Sequence, residues 1–292
     1  MKHKMRYGCC AVVFRTYPIE KALQWIAEGG FKYVELEANY EWCNHVDIHK
    51  DDPIKFSQMV RDFGLEISTL DCHRELIDPS KMHYDPVEDL ILAIEWAKAA
   101  GVPVVVTDEG KMPSLDFPQE EALARIKEKL IKVAPVAEKN NVKVCFEPHG
   151  MLSLVPSGLR NIISLVPSKI FGVNLDTANP SRGNYVHIDE DGNSVWMLPP
   201  DFPKHDEIEV MEPVVDRIYN LHFKDVQGRQ ACALGQGQVK LDQVVDRLYR
   251  AGFDGVMNWQ TEGWEDEETT KQWMKISKAF IENLLDEATS RP

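Results

Sequence analysis

Short apolar runs rich in Val, Ile, Phe and Tyr recur along the chain, and most are followed by a longer stretch with apolar positions at helical spacing. Eight runs predict strands: Tyr7–Phe14, Tyr33–Leu36, Glu66–Leu70, Val102–Thr107, Val142–Phe146, Phe171–Leu175, Ile218–Phe223 and Gly255–Gln260. Near-continuous runs such as VPVVV and VKVCF suit strands buried on both faces, as in a parallel sheet covered by helices. The intervening segments predict helices over Ile19–Glu28, Pro53–Phe63, Pro86–Ala100, Gln119–Lys139, Ser157–Leu165, Glu207–Asp216, Leu241–Ala251 and Glu267–Ala288. The longest carries Leu123, Ile126, Leu130 and Val133 as its core stripe, with a bend expected at Pro135. EGGFKYVE, DFGLEIS, KAAGVPVVV, EKNNVKVCF and RAGFDGVMN share one design. Each is a helix end, a Gly or Asn turn and then a strand.

Eight strands alternating with eight helices in 292 residues give the arithmetic of an α/β fold of the (β/α)8 TIM-barrel type. A doubly wound sheet would favour fewer strands and a glycine-rich phosphate loop after the first. FRTYPIE stands there instead. With no linker or break in composition, residues 1–292 are expected to form a single barrel domain. Residues 179–206 interrupt the rhythm, with EDGN between YVHI and SVWM as a hairpin turn. This insertion follows the sixth strand, on the face where barrels carry their sites. It predicts a lid or an interface hairpin, against a tolerated surface loop.

Composition narrows the class. Hydrophobic residues at 43% and charged residues at 27% describe a soluble globular protein. The 33 basic and 47 acidic residues leave a net charge of −14, which argues against nucleic acid as a partner. No apolar run reaches the ~18 residues of a membrane span, so no membrane partner is expected. Six cysteines without a C-x-x-C pair suit buried thiols in a reducing cytoplasm.

In a TIM barrel the C-terminal strand ends point into the site. Here they read Glu35-Leu36-Glu37, Asp71-Cys72-His73, Thr107-Asp108-Glu109, Glu147-Pro148-His149, Asn174-Leu175-Asp176, His222-Phe223-Lys224-Asp225 and Thr261-Glu262. Such a ring of carboxylates repels itself unless a cation holds it. The best set is Glu147, Asp176, His222 and Glu262, from strands five to eight. Three carboxylates and an imidazole suit one Mn²⁺, Mg²⁺ or Co²⁺ better than a structural zinc, with Zn²⁺ a further option. Taken singly, each carboxylate has an ordinary alternative as a helix cap or salt-bridge partner.

CFEPHG, VNLDTAN, LHFKD, the following LGQGQVKLD and the late TEGW resemble the sugar isomerase/epimerase family of xylose-isomerase-like TIM barrels, in strand–helix order over almost the whole chain. The resemblance implies one divalent metal on the four residues above. It also implies acid and base roles for Glu147 and Glu262 on a small sugar or keto-sugar, and a homodimer or homotetramer. The chemistry is proton abstraction next to a carbonyl through a metal-stabilised enediolate.

Three departures bear on the reaction. Asn179 stands where ketose 3-epimerases of this family commonly have a histidine, and Gly228, beside Arg229, where they often have an arginine. EPH in place of EPxN brings His149 forward as a base, closer to relatives that eliminate across a keto-sugar or 3-keto-glycoside. A metal-dependent lyase or dehydratase is therefore the runner-up to the isomerase or epimerase. Remoter alternatives are an apurinic endonuclease, which needs more histidines, and a barrel that only binds sugar. Expected substrate contacts are His73, Asn179, Lys224, Arg229 and Glu37, with Trp42, Trp196, Trp259 and Trp264 available as apolar walls. His45 and His49 are four apart without H-E-x-x-H and read as exposed loop histidines.

Overall fold

The computed structural model describes residues 5–40, 42–182, 202–228 and 230–290. Eight parallel strands form its centre: β1 Arg6–Cys10, β2 Tyr33–Asn39, β3 Glu66–Asp71, β4 Val104–Thr107, β5 Lys143–Phe146, β6 Phe171–Asp176, β7 Ile218–Phe223 and β8 Val256–Trp259. Each pairs with the next in chain order, and β1 pairs with both β2 and β8, which closes the sheet into a (β/α)8 TIM barrel.

The helices cover the outside: α1 Ile19–Glu28, α2 Pro53–Asp62, α3 Pro86–Ala100, α4 Gln119–Asn140, α5 Gly158–Ile163, the short α6 Asn179–Arg182, α7 Glu207–Met211, α8 Leu241–Ala251 and α9 Glu267–Ser290. Local chemistry explains their limits. Asp52 and Asp85 each accept two backbone amides at the start of α2 and α3, with proline as the first helical residue. Asp206 and Glu209 form a reciprocal capping box at α7. The helix ends before β4 and β5 turn through left-handed residues, Gly101 at φ +82° and Asn141 at φ +53°.

Two expected elements change type part-way. The strand expected over Tyr7–Phe14 stops at Cys10, and Ala11–Phe14 winds into a buried 3-10 turn. An unbroken apolar run does not distinguish a buried strand from a buried turn. The helix expected over Glu207–Asp216 changes to 3-10 at Glu212, where Pro213 removes a donor from the α-helical ladder. In contrast, α4 stays helical through Pro135. Of the predicted insertion, α6 and residues 202–206 are described. The EDGN hairpin lies outside the described residues.

The interior of the barrel is unusual. Such lumens are normally filled with branched apolar side chains. Here asparagines from three strands form a floor. Asn220 Nδ2 donates to Asn174 Oδ1 at 2.9 Å and to Glu35 at 2.8 Å, and Asn258 Nδ2 donates to Asn220 Oδ1 at 3.1 Å. Thr69 and Ser68 hydroxyls satisfy the Asn220 and Asn258 oxygens at 3.0 and 3.2 Å. A Cβ on Gly8 would lie 2.4 Å from Asn258 Oδ1, so only glycine lets that side chain cross beside β1. Register shifts between β2 and β3 and between β6 and β7 leave Ser68 and Tyr219 without strand partners. These bulges reset which residues face the lumen above them.

Candidate active site

Side-chain alternation carries the floor upward into the site. Positions i, i+2 and i+4 of a strand share a face. Glu35 leads to Glu37 and Asn39, Thr69 to Asp71 and His73, Asn174 to Asp176, Asn220 to His222 and Lys224, and Asn258 to Gln260 and Glu262. Above the floor lies a cavity of about 390 Å³. Its inner wall carries Glu37, Asp71, His73, Asp108, Glu147, His149, Lys224 and Glu262. Its outer wall carries Tyr40, Trp42, Met82 and Tyr84.

His222 is fully buried between two carboxylates. Its Nε2 is 2.5 Å from Glu35 and its Nδ1 is 3.0 Å from Glu147 Oε2. Gln260 Nε2 approaches the same Nδ1 at 3.2 Å. Glu147 is also met by Asn174 Nδ2 at 3.0 Å, His73 Nε2 at 3.3 Å and His149 Nε2 at 3.1 Å. Asp176 Oδ1 accepts the Ala178 and Asn179 amides at 2.7 and 2.8 Å, which starts α6. Its Oδ2 lies 2.8 Å from Lys224 Nζ, and that ammonium lies 3.2 Å from Glu262 Oε1. Asn179 reaches back to Glu147 Oε1 at 3.4 Å.

The four residues read as metal ligands thus form two pairs. Glu147 and His222 touch directly, and Asp176 and Glu262 flank Lys224. Among the described residues, compact donor groups are Asp71–Glu147–His222, His73–Glu147–His149, Glu35–Glu37–Asp71 and Cys10–Glu35–His222. Beyond the four, these groups bring in Cys10, Glu35, Glu37, Asp71, His73 and His149, none of which the sequence marks as a metal donor. Barrel closure sets β2 and β3 near β5 and β7, a proximity that chain order hides. The sequence signal for them is the period-two run of polar residues below the ends of β2, β3, β6, β7 and β8.

Electrostatics follow the burial. Burial and the nearby Asp71 push the Glu37 carboxyl well above its ordinary range. Burial pushes Asp71 up to about 6 against the pull of His73. Burial alone would raise Glu147, but His222 and His149 outweigh it and hold the carboxylate well below its usual range. Burial would lower His149, but Glu147 and Asp108 overcome it and raise the imidazole well above its ordinary value. Asp108 Oδ2 lies 3.4 Å from His149 Nδ1, and the His73 and His149 rings meet edge-on with centroids 4.8 Å apart.

A family model described as xylose isomerase-like TIM barrel matches residues 23–283. The chain belongs to this family. An uncharacterised protein of Methanocaldococcus jannaschii is 24% identical to it, over 98% of this chain and 93% of the relative. The L-ribulose 3-epimerase structure superposes with a TM-score of 0.73 at 18% identity, covering 97% and 95% of the two chains. The IolI protein structure with a binding zinc atom gives 0.72 at 16% identity, covering 98% and 100%.

Other expected contacts of this xylose isomerase-like barrel divide clearly. Glu37, His73 and Lys224 line the cavity, as does Trp42, whereas Trp259 is fully buried against Phe31. Trp264 is exposed beside Arg15. Arg229 and Trp196 lie outside the described residues. His45 is half-buried on the Tyr17 carbonyl, and His49 pairs with Asp89, so both carry structural bonds. The LGQGQ turn folds around Asp225, which accepts the Gly235, Gly237 and Val239 amides at 2.9, 2.9 and 3.1 Å. A Cβ on Gly237 would lie 2.2 Å from that carboxylate.

Glu109 provides a test of this buried charge in the xylose isomerase-like barrel. Burial raises its carboxyl from 4.5 to about 7, opposed by a hydrogen bond from Ser153. Between those values the native state holds a proton that the unfolded chain has lost. This contribution to stability is therefore present below about pH 4.5 and lost as pH rises through about 7. At ~1.4 kcal/mol per unit the swing is at most about 3.5 kcal/mol. Urea midpoints of Glu109→Gln and the parent should diverge in the variant's favour from pH 4.5 to pH 8. Parallel curves would refute the assignment.

Proposed function

We propose that this barrel is a divalent-metal-dependent sugar isomerase or epimerase working by proton abstraction next to a carbonyl. The observation that carries it is one cavity receiving Glu147 and Glu262 from separate strands, beside Asp176 and His222. The residues fit a hard dication. The donors are mostly oxygen, carboxylates outnumber cationic groups, and the buried Glu37 Oε1 has no hydrogen-bond donor. Glu147, Asp176, His222 and Glu262 would hold the ion, which supplies stabilisation for charge developing on the substrate oxygens.

The chain's own groups do the rest. Glu147, kept ionised by two imidazoles, takes the proton, and Glu262 returns one from the other side of the sugar. Glu35 fixes the ring of His222 through Nε2, leaving Nδ1 toward the cavity side where Glu147 lies. Asn179 braces Glu147 from the start of α6. Tyr40, Trp42 and Tyr84 form the apolar wall that excludes water.

The Asp108–His149 contact favours a second reading, a lyase or dehydratase on a keto-sugar or 3-keto-glycoside. Asp108 and Glu147 both lie beside His149 and raise its imidazole well above its ordinary value, as suits a proton-transfer group on such a substrate.

One experiment separates these. The purified protein, loaded with Mn²⁺, is incubated with ketopentoses, ketohexoses and 3-keto-glycosides in D₂O. Deuterium on the carbon beside the carbonyl, with a rearranged sugar, supports the first reading. Loss of water or aglycone supports the second. Neither product, with no metal retained, overturns both.

A further inference from the structure

Lys224 follows His222 by two residues, so the alternation that turns the histidine inward turns the lysine inward too. Its backbone is fixed on both sides. The Lys224 amide donates to Thr177 Oγ1 at 2.9 Å, and that hydroxyl donates to the Lys224 carbonyl at 2.6 Å. Thr177 is the neighbour of Asp176, so β7 is stapled to the end of β6 beside the carboxylate. The Lys224 side chain is 5% exposed. Its ammonium lies 2.8 Å from Asp176 Oδ2 and 3.2 Å from Glu262 Oε1.

Those oxygens belong to two of the four residues assigned above to the metal. We propose that Lys224 is a built-in counter-cation: it occupies the position between Asp176 and Glu262 in the metal-free chain, and a divalent ion enters by displacing it. This rests on the proposed metal site. An ammonium only donates, and it uses the lone pairs that a metal would take. A dication on the same oxygens would also repel a positive charge a few ångströms away. Both cannot be held there. The lysine stem is long and flexible, and Lys224 lines the cavity, so its head has space to swing toward the substrate. Without metal it keeps two carboxylates together that would otherwise repel. With metal it becomes a donor for substrate oxygens.

The test is calorimetric titration of metal-free protein with MnCl₂, wild type against Lys224→Met. The expected result is at least tenfold tighter binding by the variant, since no resident cation must leave. Binding by the variant alone would support displacement still more strongly. Equal or weaker binding by the variant, with metal still bound by the wild type, overturns displacement and leaves the metal site standing. No binding by either overturns both. Should Lys224→Met fail to fold, ¹³C-methylated lysines of the wild type report instead, with the Lys224 signal identified by its absence in Lys224→Arg. Added Mg²⁺ should shift that signal, and an unmoved signal refutes displacement.

Discussion

Glu147→Gln is expected to lower turnover by about 10²–10⁴-fold, the usual worth of a positioned general base. Glutamine keeps the volume but presents an amide where three imidazole nitrogens now meet carboxylate oxygens. His73, His149 and His222 stand 3.3, 3.1 and 3.0 Å from Glu147. The variant loses the proposed proton acceptor and one proposed metal donor together. Steady-state rates at saturating Mn²⁺, with metal content measured on the same samples, separate these losses. A variant that keeps full metal and loses only rate marks Glu147 as the base. A variant within tenfold of the parent sinks the assignment.

Glu35→Ala should produce the largest loss of stability, about 3–5 kcal/mol, the cost of removing one partner from a buried charged pair. Glu35 is fully buried and receives the Asn220 amide at 2.8 Å, the Asn258 amide at 3.3 Å and the Cys10 thiol at 3.1 Å, beside His222 at 2.5 Å. Truncation leaves these groups facing an empty volume that water reaches poorly. Urea denaturation of the metal-free protein measures the loss directly. A change below about 1 kcal/mol, the scale of an ordinary hydrogen bond, would show that the floor relaxes around the gap. The same variant should weaken metal binding by about 10–100-fold, because Glu35 orients His222.

The barrel was legible because its signals are local. VPVVV and VKVCF announce buried strands, and EKNNV announces a left-handed helix exit, realised at Asn141. The charged rim was legible for a related reason, since strand ends face the barrel mouth in this architecture. The floor was not. Asn174, Asn220 and Asn258 lie within strands that otherwise read as apolar, and their partners are 38 to 190 residues away in sequence. The meeting of Asp71 with Glu147 and His222 was hidden for the same reason, because it is a property of closure. The role of Lys224 was only half legible. An acidic mouth predicts a carboxylate partner, but that it bridges two strand ends depends on where Thr177 holds its backbone.

The two bulges mean that this site is encoded in length as well as in residue type. Ser68 and Tyr219 are the extra residues in β3 and β7. Deleting either would leave the residues beyond it facing as they do, because Ile67 and Thr69, and likewise Ile218 and Asn220, already pair with consecutive residues of the neighbouring strand. A deletion above the bulge, at Leu221, would instead bring Phe223 into the lumen and turn His222 toward the helices. There the chemistry could be dismantled without altering one functional residue. For anyone redesigning this barrel, the two bulges are places where length can change by one without turning the site and the positions above them are not, a distinction that substitution scans, which preserve length, would pass over.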